Sequence, residues 1–189
     1  HHQWGIALLQ CVAPHACNGR QQHTQTHLRR MTMSQRIYSL AYLTSHRCTP
    51  QEAIRVAAQT GYAYVGLRLW PNAPGAPQQF LIDRAQDLKE TLAAQQDTGV
   101  GVFDLEIIRI NEQFDPHDWD ALYDIGAALK AKAILVAGDD ANESRLTDNY
   151  AKLCEVMQPF GMTADLEFMP WTAVPNAQAA LRIVTNAGM

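Results

Sequence analysis

The residue in this sequence best placed for chemistry is Glu167, set within ADLEFM (residues 164–169), with apolar neighbours at the end of a strand expected to be buried. An unpaired carboxylate there is costly and calls for a cation, a metal or a network of donors. In an enzyme site the usual resolution is a metal ligand or an acid–base group. Asp165 shares its strand face, two residues earlier. It reads as a supporting partner or as a core polar residue satisfied by a neighbour. Other ionisable residues gather late in each strand unit. His46 and Arg47 follow the first strand, Arg68 closes the second, Glu106 and Arg109 close the third, and Asp139 and Asp140 follow the fourth. Arg68 and Glu106 lie on neighbouring strands, so they read either as an ion pair or as contacts to a substrate. Asp139 and Asp140 follow a glycine and read as a turn with a helix cap. His46 reads as a loop histidine or as a substrate contact.

The elements that must position these groups alternate strand and helix from residue 37 onward. Residues 37–43 form an apolar, strand-like run. Thr49, Pro50 and Glu52 then make a capping box with proline at the first helical position, and Gly61 is placed to end that helix. The second strand is expected at residues 62–69, followed by a Pro/Gly/Asn loop at 71–77. Ile82, Ala85, Leu88 and Leu92 supply the next helical stripe, closed by Gly99. Residues 100–108 read as strand three. Asp115 and Pro116 announce a helix whose buried face is Trp119, Leu122, Ile125 and Leu129. Strand four is expected at 133–137, and the helix after it carries Leu146, Tyr150, Leu153 and Met157 and stops near Gly161. Strand five is expected at 162–168. A last helix, with Ala177, Ala180, Leu181 and Val184, ends at Gly188.

Such alternation implies an α/β fold with a parallel sheet and right-handed crossovers. Two architectures fit five units, an open doubly wound sheet or part of a closed (β/α) barrel of the TIM type. Each unit takes about 30 residues, so eight would need about 245, close to the ~250 typical of a (β/α)8 barrel. The turn after strand one has no glycine, and no GxGxxG occurs anywhere. The barrel reading is preferred, with about five of eight units present. On this reading, residues 34–189 form a partial barrel domain. Residues 1–33, rich in His and Gln, read as an extraneous or disordered segment, with Met31 or Met33 as the natural start.

Composition narrows the function classes. A net charge of -4 argues against a nucleic-acid partner, because phosphate binding needs a positive footprint. The four cysteines show no CxxC pair and no disulfide-framework spacing, so a reduced, cytoplasmic setting is expected. No apolar run approaches the ~18 residues of a membrane span.

Three stretches carry a resemblance. They are TPQEAIRVAAQTGYAYVG (residues 49–66), GVFDLEIIR (101–109), and TADLEFMPW (163–171) running into PNAQAALRIVTNAG (175–188). From residue 37 onward the chain resembles the sugar-phosphate isomerase/epimerase superfamily, the xylose isomerase-like barrels. That family also holds hydroxypyruvate isomerase, ketose 3-epimerases, inosose and dehydroshikimate dehydratases, and endonuclease IV. The resemblance implies one divalent metal (Mg2+, Mn2+ or Zn2+) held at strand ends by four groups from strands five to eight, of which only Glu167 maps here. It also gives Glu167 a part in proton transfer beside a carbonyl, and places Arg68 and Glu106 near substrate. Endonuclease IV-like chemistry fits poorly, because it would need histidines where Arg68 and Glu106 stand.

The expected function is therefore that of a metal-dependent isomerase or epimerase acting on a small sugar or keto acid. It is represented here by a C-terminally truncated piece that is itself inactive, with a homo-oligomer open. Two alternatives stand beside it: a dehydratase on the same barrel, and a non-catalytic α/β binding module.

Overall fold

The computed structural model describes residues 36–70, 75 and 84–188. The His-rich segment, Ile82 and the loop at 71–77, apart from Gly75, lie outside the described residues.

Local sequence explains each element. Strand β1 is only Ser39–Leu40. The rest of the apolar run expected as strand turns instead into a short helix, α1, Tyr42–Ser45, with Tyr42 buried. Tyr42 packs under the Arg68 guanidinium, whose carbon lies 4.4 Å from its ring centre. Helix α2, Pro50–Gln59, begins with the expected capping box. The Glu52 amide donates to the Thr49 hydroxyl at 3.3 Å, and the Thr49 amide donates to the Glu52 carboxylate at 2.8 Å. Gly61, at φ 80°, follows its end. After β2, Tyr64–Arg68, comes α3, Ala85–Thr98, closed by Gly99 in the left-handed region. Its buried residues are Thr91 and Ala94, with Leu88 packed against the core as expected, whereas Leu92 is exposed.

Strand β3 is Gly101–Ile110 and is followed by a 3-10 turn at Pro116–Trp119, where Asp115 accepts from the His117 amide at 3.0 Å. Helix α4, Asp120–Leu129, buries Leu122, Ile125 and Leu129 as expected. Strand β4 is Ala133–Gly138 and α5 is Glu143–Met157. The cap of α5 is Asn142 rather than either aspartate, because Asp140 is engaged by Arg145 and by the Asn142 amide. Strand β5 is Thr163–Glu167 and α6 is Ala177–Asn186, capped by Asn176. Ala179, Ala180, Ile183 and Val184 form the buried face of α6, and Leu181 is exposed.

All five strands are parallel and lie in the order β1-β2-β3-β4-β5. This order separates the two architectures. A doubly wound sheet reverses its strand order at a switch point, whereas a barrel adds each strand to the same side of the last. The fold is the barrel type. Its main core lies between the sheet and the helices and takes in Val102, Leu105, Ile108, Ile110, Ile134, Val136, Ala164 and Leu166. The inner face carries a separate small cluster of Ile107, Leu135 and Ala137 with Met169 beside it.

Strand β3 departs from strict alternation twice. Its register slips between Val65 and Leu67 on the β2 side and between Leu105 and Ile108 on the β4 side. Each bulge gives β3 an extra residue, so pairs of neighbours, Phe103 with Asp104 and Glu106 with Ile107, fall between outward-facing core positions.

Candidate active site

The tripeptide Asp-Leu-Glu occurs twice, as residues 104–106 on β3 and 165–167 on β5. Leu105 and Leu166 are fully buried in the main core. Alternation along the strand therefore turns Asp104, Glu106, Asp165 and Glu167 to the inner face. Between them, β4 presents only Ala133, Leu135 and Ala137, and register pairs Leu135 with Asp165 and Ala137 with Glu167. No charged side chain of β4 separates the two acidic pairs.

Arg68, at the end of β2, pairs in register with Glu106 and donates to its carboxylate at 2.5 Å. Both side chains are largely buried. The ion-pair reading of these residues is thus realised at the strand ends, and the pair sits beside Glu167, whose pKa feels both charges. Arg109 donates to Asp139 at 2.7 Å and also bears on Glu167. Asp140 is buried and accepts two bonds from Arg145, at 2.6 and 2.9 Å, which hold its carboxyl below the usual range. His46 is exposed on the connection after α1, where its Nδ1–H donates to the Leu43 carbonyl at 2.9 Å. Glu106, Arg68 and Arg109 are the charges that bear most on Glu167.

Burial dominates the electrostatics. It pushes the Glu167 carboxyl up, Glu106 pushes further, and Arg68 and Arg109 pull the other way. The Glu106 carboxyl is also raised, because burial outweighs the adjacent Arg68. Asp165 is fully buried and raised by burial. Its Oδ1 accepts from the Thr163 hydroxyl at 2.8 Å, while its Oδ2 meets no donor among the described residues. Asp104 is pushed up to about 7, first by burial and then by the charges of Glu106, Asp165 and Glu167. Sequence reasoning missed Asp104. The repeated Asp-Leu-Glu was the available signal, and Gly66 is its structural counterpart on β2. A Cβ at Gly66 would stand 2.7 Å from the Asp104 Oδ2, so that glycine leaves room for the carboxylate.

Chemically, the inner face offers half-buried carboxylates of raised pKa next to a fixed guanidinium, an arrangement suited to moving a proton on a substrate that Arg68 helps to hold. A metal is a separate matter. Among the described residues, no group of three or more His, Cys, Asp or Glu is placed to hold a metal ion. Nor is any helix among them long and apolar enough to cross a membrane.

No protein-family model and no curated relative matches the chain. Solved structures do. A probable 3-DHS dehydratase, AsbF, involved in petrobactin synthesis in Bacillus anthracis, aligns with a TM-score of 0.64 at 14% identity, over 82% of this chain and 60% of its own. A xylose isomerase-like TIM barrel protein from Mycobacterium smegmatis in complex with magnesium aligns at 0.57 and 11%, over 80% and 61%. A D-allulose 3-epimerase from Methylomonas sp. in complex with D-allulose aligns at 0.56 and 14%, over 80% and 59%. The chain thus spans about three fifths of the length of these structures. With five parallel strands wound in sequential order, the chain has the fold of the xylose isomerase-like TIM barrels, as its sequence resemblance led us to expect.

Proposed function

We propose that the protein carrying this chain is an isomerase or epimerase that moves a proton at the carbon next to a carbonyl of a small sugar or keto acid, with Glu167 as the proton-transferring group. One observation carries the reading. Glu167 ends β5 on the inner face with its pKa raised by burial, beside the buried Arg68–Glu106 pair. A carboxylate lifted toward neutrality is better matched to proton abstraction than an ordinary one. Arg68, clamped between Tyr42 and Glu106, is preorganised to donate to a substrate oxygen and to stabilise charge that develops there. His46 is proposed as a substrate contact from the rim.

This reading includes a divalent cation. Glu167 offers it one hard oxygen donor, the kind Mg2+ and Mn2+ favour. The described residues do not complete such a site, and any further ligands lie outside them. The likeness to a magnesium-bound barrel supports a metal in the family without identifying it.

A dehydratase on the same scaffold is the second reading. The likeness to a probable 3-DHS dehydratase favours it, because that class of reaction also begins by abstracting a proton beside a carbonyl. Incubation with ketoses and keto acids in D2O, followed by NMR, tests both readings. Deuterium at the carbon next to the carbonyl with a rearranged or epimerised product supports the first, and loss of water supports the second. Glu167→Gln that exchanges at the wild-type rate would sink either.

A further inference from the structure

We propose that Trp171 is a substrate-binding residue, a preset aromatic platform at the rim beside Glu167 for the C–H face of a sugar, and that the substrate is an uncharged ketose. The assignment rests on the reaction proposed for Glu167.

The connection from β5 to α6 builds the platform. Met169 packs against the inner cluster of Ile107, Leu135 and Ala137, and Ala137 pairs in register with Glu167. The chain turns over this spot. The Thr172 amide donates to the Met169 carbonyl at 2.9 Å, which closes a four-residue turn with Pro170 and Trp171 at its centre. The Met169 amide donates to the Val174 carbonyl at 2.9 Å. Within the same loop, the Thr172 hydroxyl donates to the Met169 carbonyl at 2.9 Å and accepts from the Val174 amide at 3.2 Å. The Ala173 amide reaches across to the Gly138 carbonyl at 3.0 Å, and Val174 is fully buried in the space that Gly138 leaves.

A loop tied down in this way nonetheless leaves Trp171 74% exposed. Holding so large an aromatic side chain in water forgoes the gain of burying it. A ring carried on a backbone already fixed loses little entropy when a ligand covers it.

Charge selects the ligand. Asp104, Glu106, Asp165 and Glu167 turn inward from β3 and β5. The inward positions of β2–β5 oppose them with two cations, Arg68 and Arg109, bonded to Glu106 and Asp139. A phosphate or a carboxylate would meet a face where acids outnumber bases, and like charges repel. An uncharged ketose suits that face, because its hydroxyls donate to carboxylates while its C–H surface lies on the indole.

The test uses the protein carrying this chain, labelled with 15N at tryptophan. The indole N–H signal lost in Trp171→Ala belongs to Trp171. It should shift on titration with at least one neutral ketohexose among D-fructose, D-allulose, D-tagatose and D-sorbose. Trp171→Ala should weaken that binding about 10-fold with an unchanged urea midpoint, and Trp171→Phe, which keeps a ring, should recover most of the loss. The 6-phosphate of the same ketose, and the keto acid 2-keto-D-gluconate, should bind more weakly than the neutral sugar.

A Trp171 signal that no ketohexose moves overturns the assignment. So does unchanged ketose affinity in Trp171→Ala, or tighter binding of the phosphate or the keto acid. Loss of self-association in Trp171→Ala with ketose binding intact also overturns it, because the ring would then face a second copy of the chain. A ketose that binds at Trp171 without exchanging deuterium would instead overturn the function proposed for Glu167 and leave the platform standing.

Discussion

Asp104, Asp165 and Glu167 share one inner face with raised pKa values, and this sets how the protein responds to pH. An unfolded aspartate titrates near ~4, while folded Asp104 titrates at about 7, so the fold binds that proton more tightly. Its contribution to stability is whole below the unfolded value and is lost as pH rises through 7. Urea midpoints should therefore fall between about pH 4 and pH 7.5, and Asp104→Asn should flatten that slope. Below that window, Asp140 works in the opposite sense. Arg145 holds its carboxyl low, so it loses stability as acid is added. The Arg68–Glu106 pair makes a second prediction. Arg68→Met leaves a buried carboxylate alone and should cost about 3 kcal/mol in denaturant melts at pH 8. The cost should shrink as pH falls, because burial raises the Glu106 carboxyl and a protonated carboxyl needs no cation, and Arg68→Met with Glu106→Leu should recover most of the loss. From the sequence, Glu167, Arg68 and Glu106 were legible because ionisable residues at the ends of apolar strands are conspicuous. Asp104 was not, because it stands inside β3 rather than near a strand end, where ionisable residues draw the eye.

At the scale of elements, what was legible followed local chemistry and what was not followed tertiary packing. The capping box at Thr49 and Glu52 is encoded in four consecutive residues and forms as read. Thr49→Ala should cost about 1 kcal/mol of stability, measurable as a lower urea midpoint with unchanged m-value. The run at residues 37–43 suited a strand by composition. Its second half is helical, and Tyr42 there packs against Arg68, a residue 26 positions away that local composition does not reveal. The stripes of α3 and α6 were misread at Leu92 and Leu181, because apolar residues can occupy a solvent face while Thr91 and Ala179 fill the buried one. Gly138, at the end of β4, is a packing requirement invisible in one dimension. A Cβ there would lie 2.5 Å from Val174 and 3.0 Å from Leu146. Gly138→Ala should destabilise by about 1–3 kcal/mol through overpacking, with a matching drop in the unfolding midpoint.

For the whole molecule, the sequential strand order is the decisive feature. Alternating strand and helix patterns could tell that the sheet is parallel, but only the order of the strands excludes a doubly wound fold. That winding brings the ends of β2, β3 and β5 to one rim and so gathers residues nearly a hundred positions apart. Among the described residues, β1 and β5 are the outer strands of the sheet, and Ile37, Tyr38 and Leu43 near β1 are exposed. Open edges with apolar neighbours invite pairing. The 189-residue polypeptide on its own should therefore self-associate in light scattering, and a concentration-independent monomer would contradict this.

The central claim is that Glu167 moves a proton beside a substrate carbonyl. Solvent deuterium exchange into ketose and keto-acid substrates, followed by NMR for the protein carrying this chain and its Glu167→Gln variant, tests it most directly. Exchange at that carbon is expected in the wild type, reduced at least ~100-fold in the variant with its fold intact. Equal exchange in the two proteins, or none in the wild type with any such substrate, would contradict it.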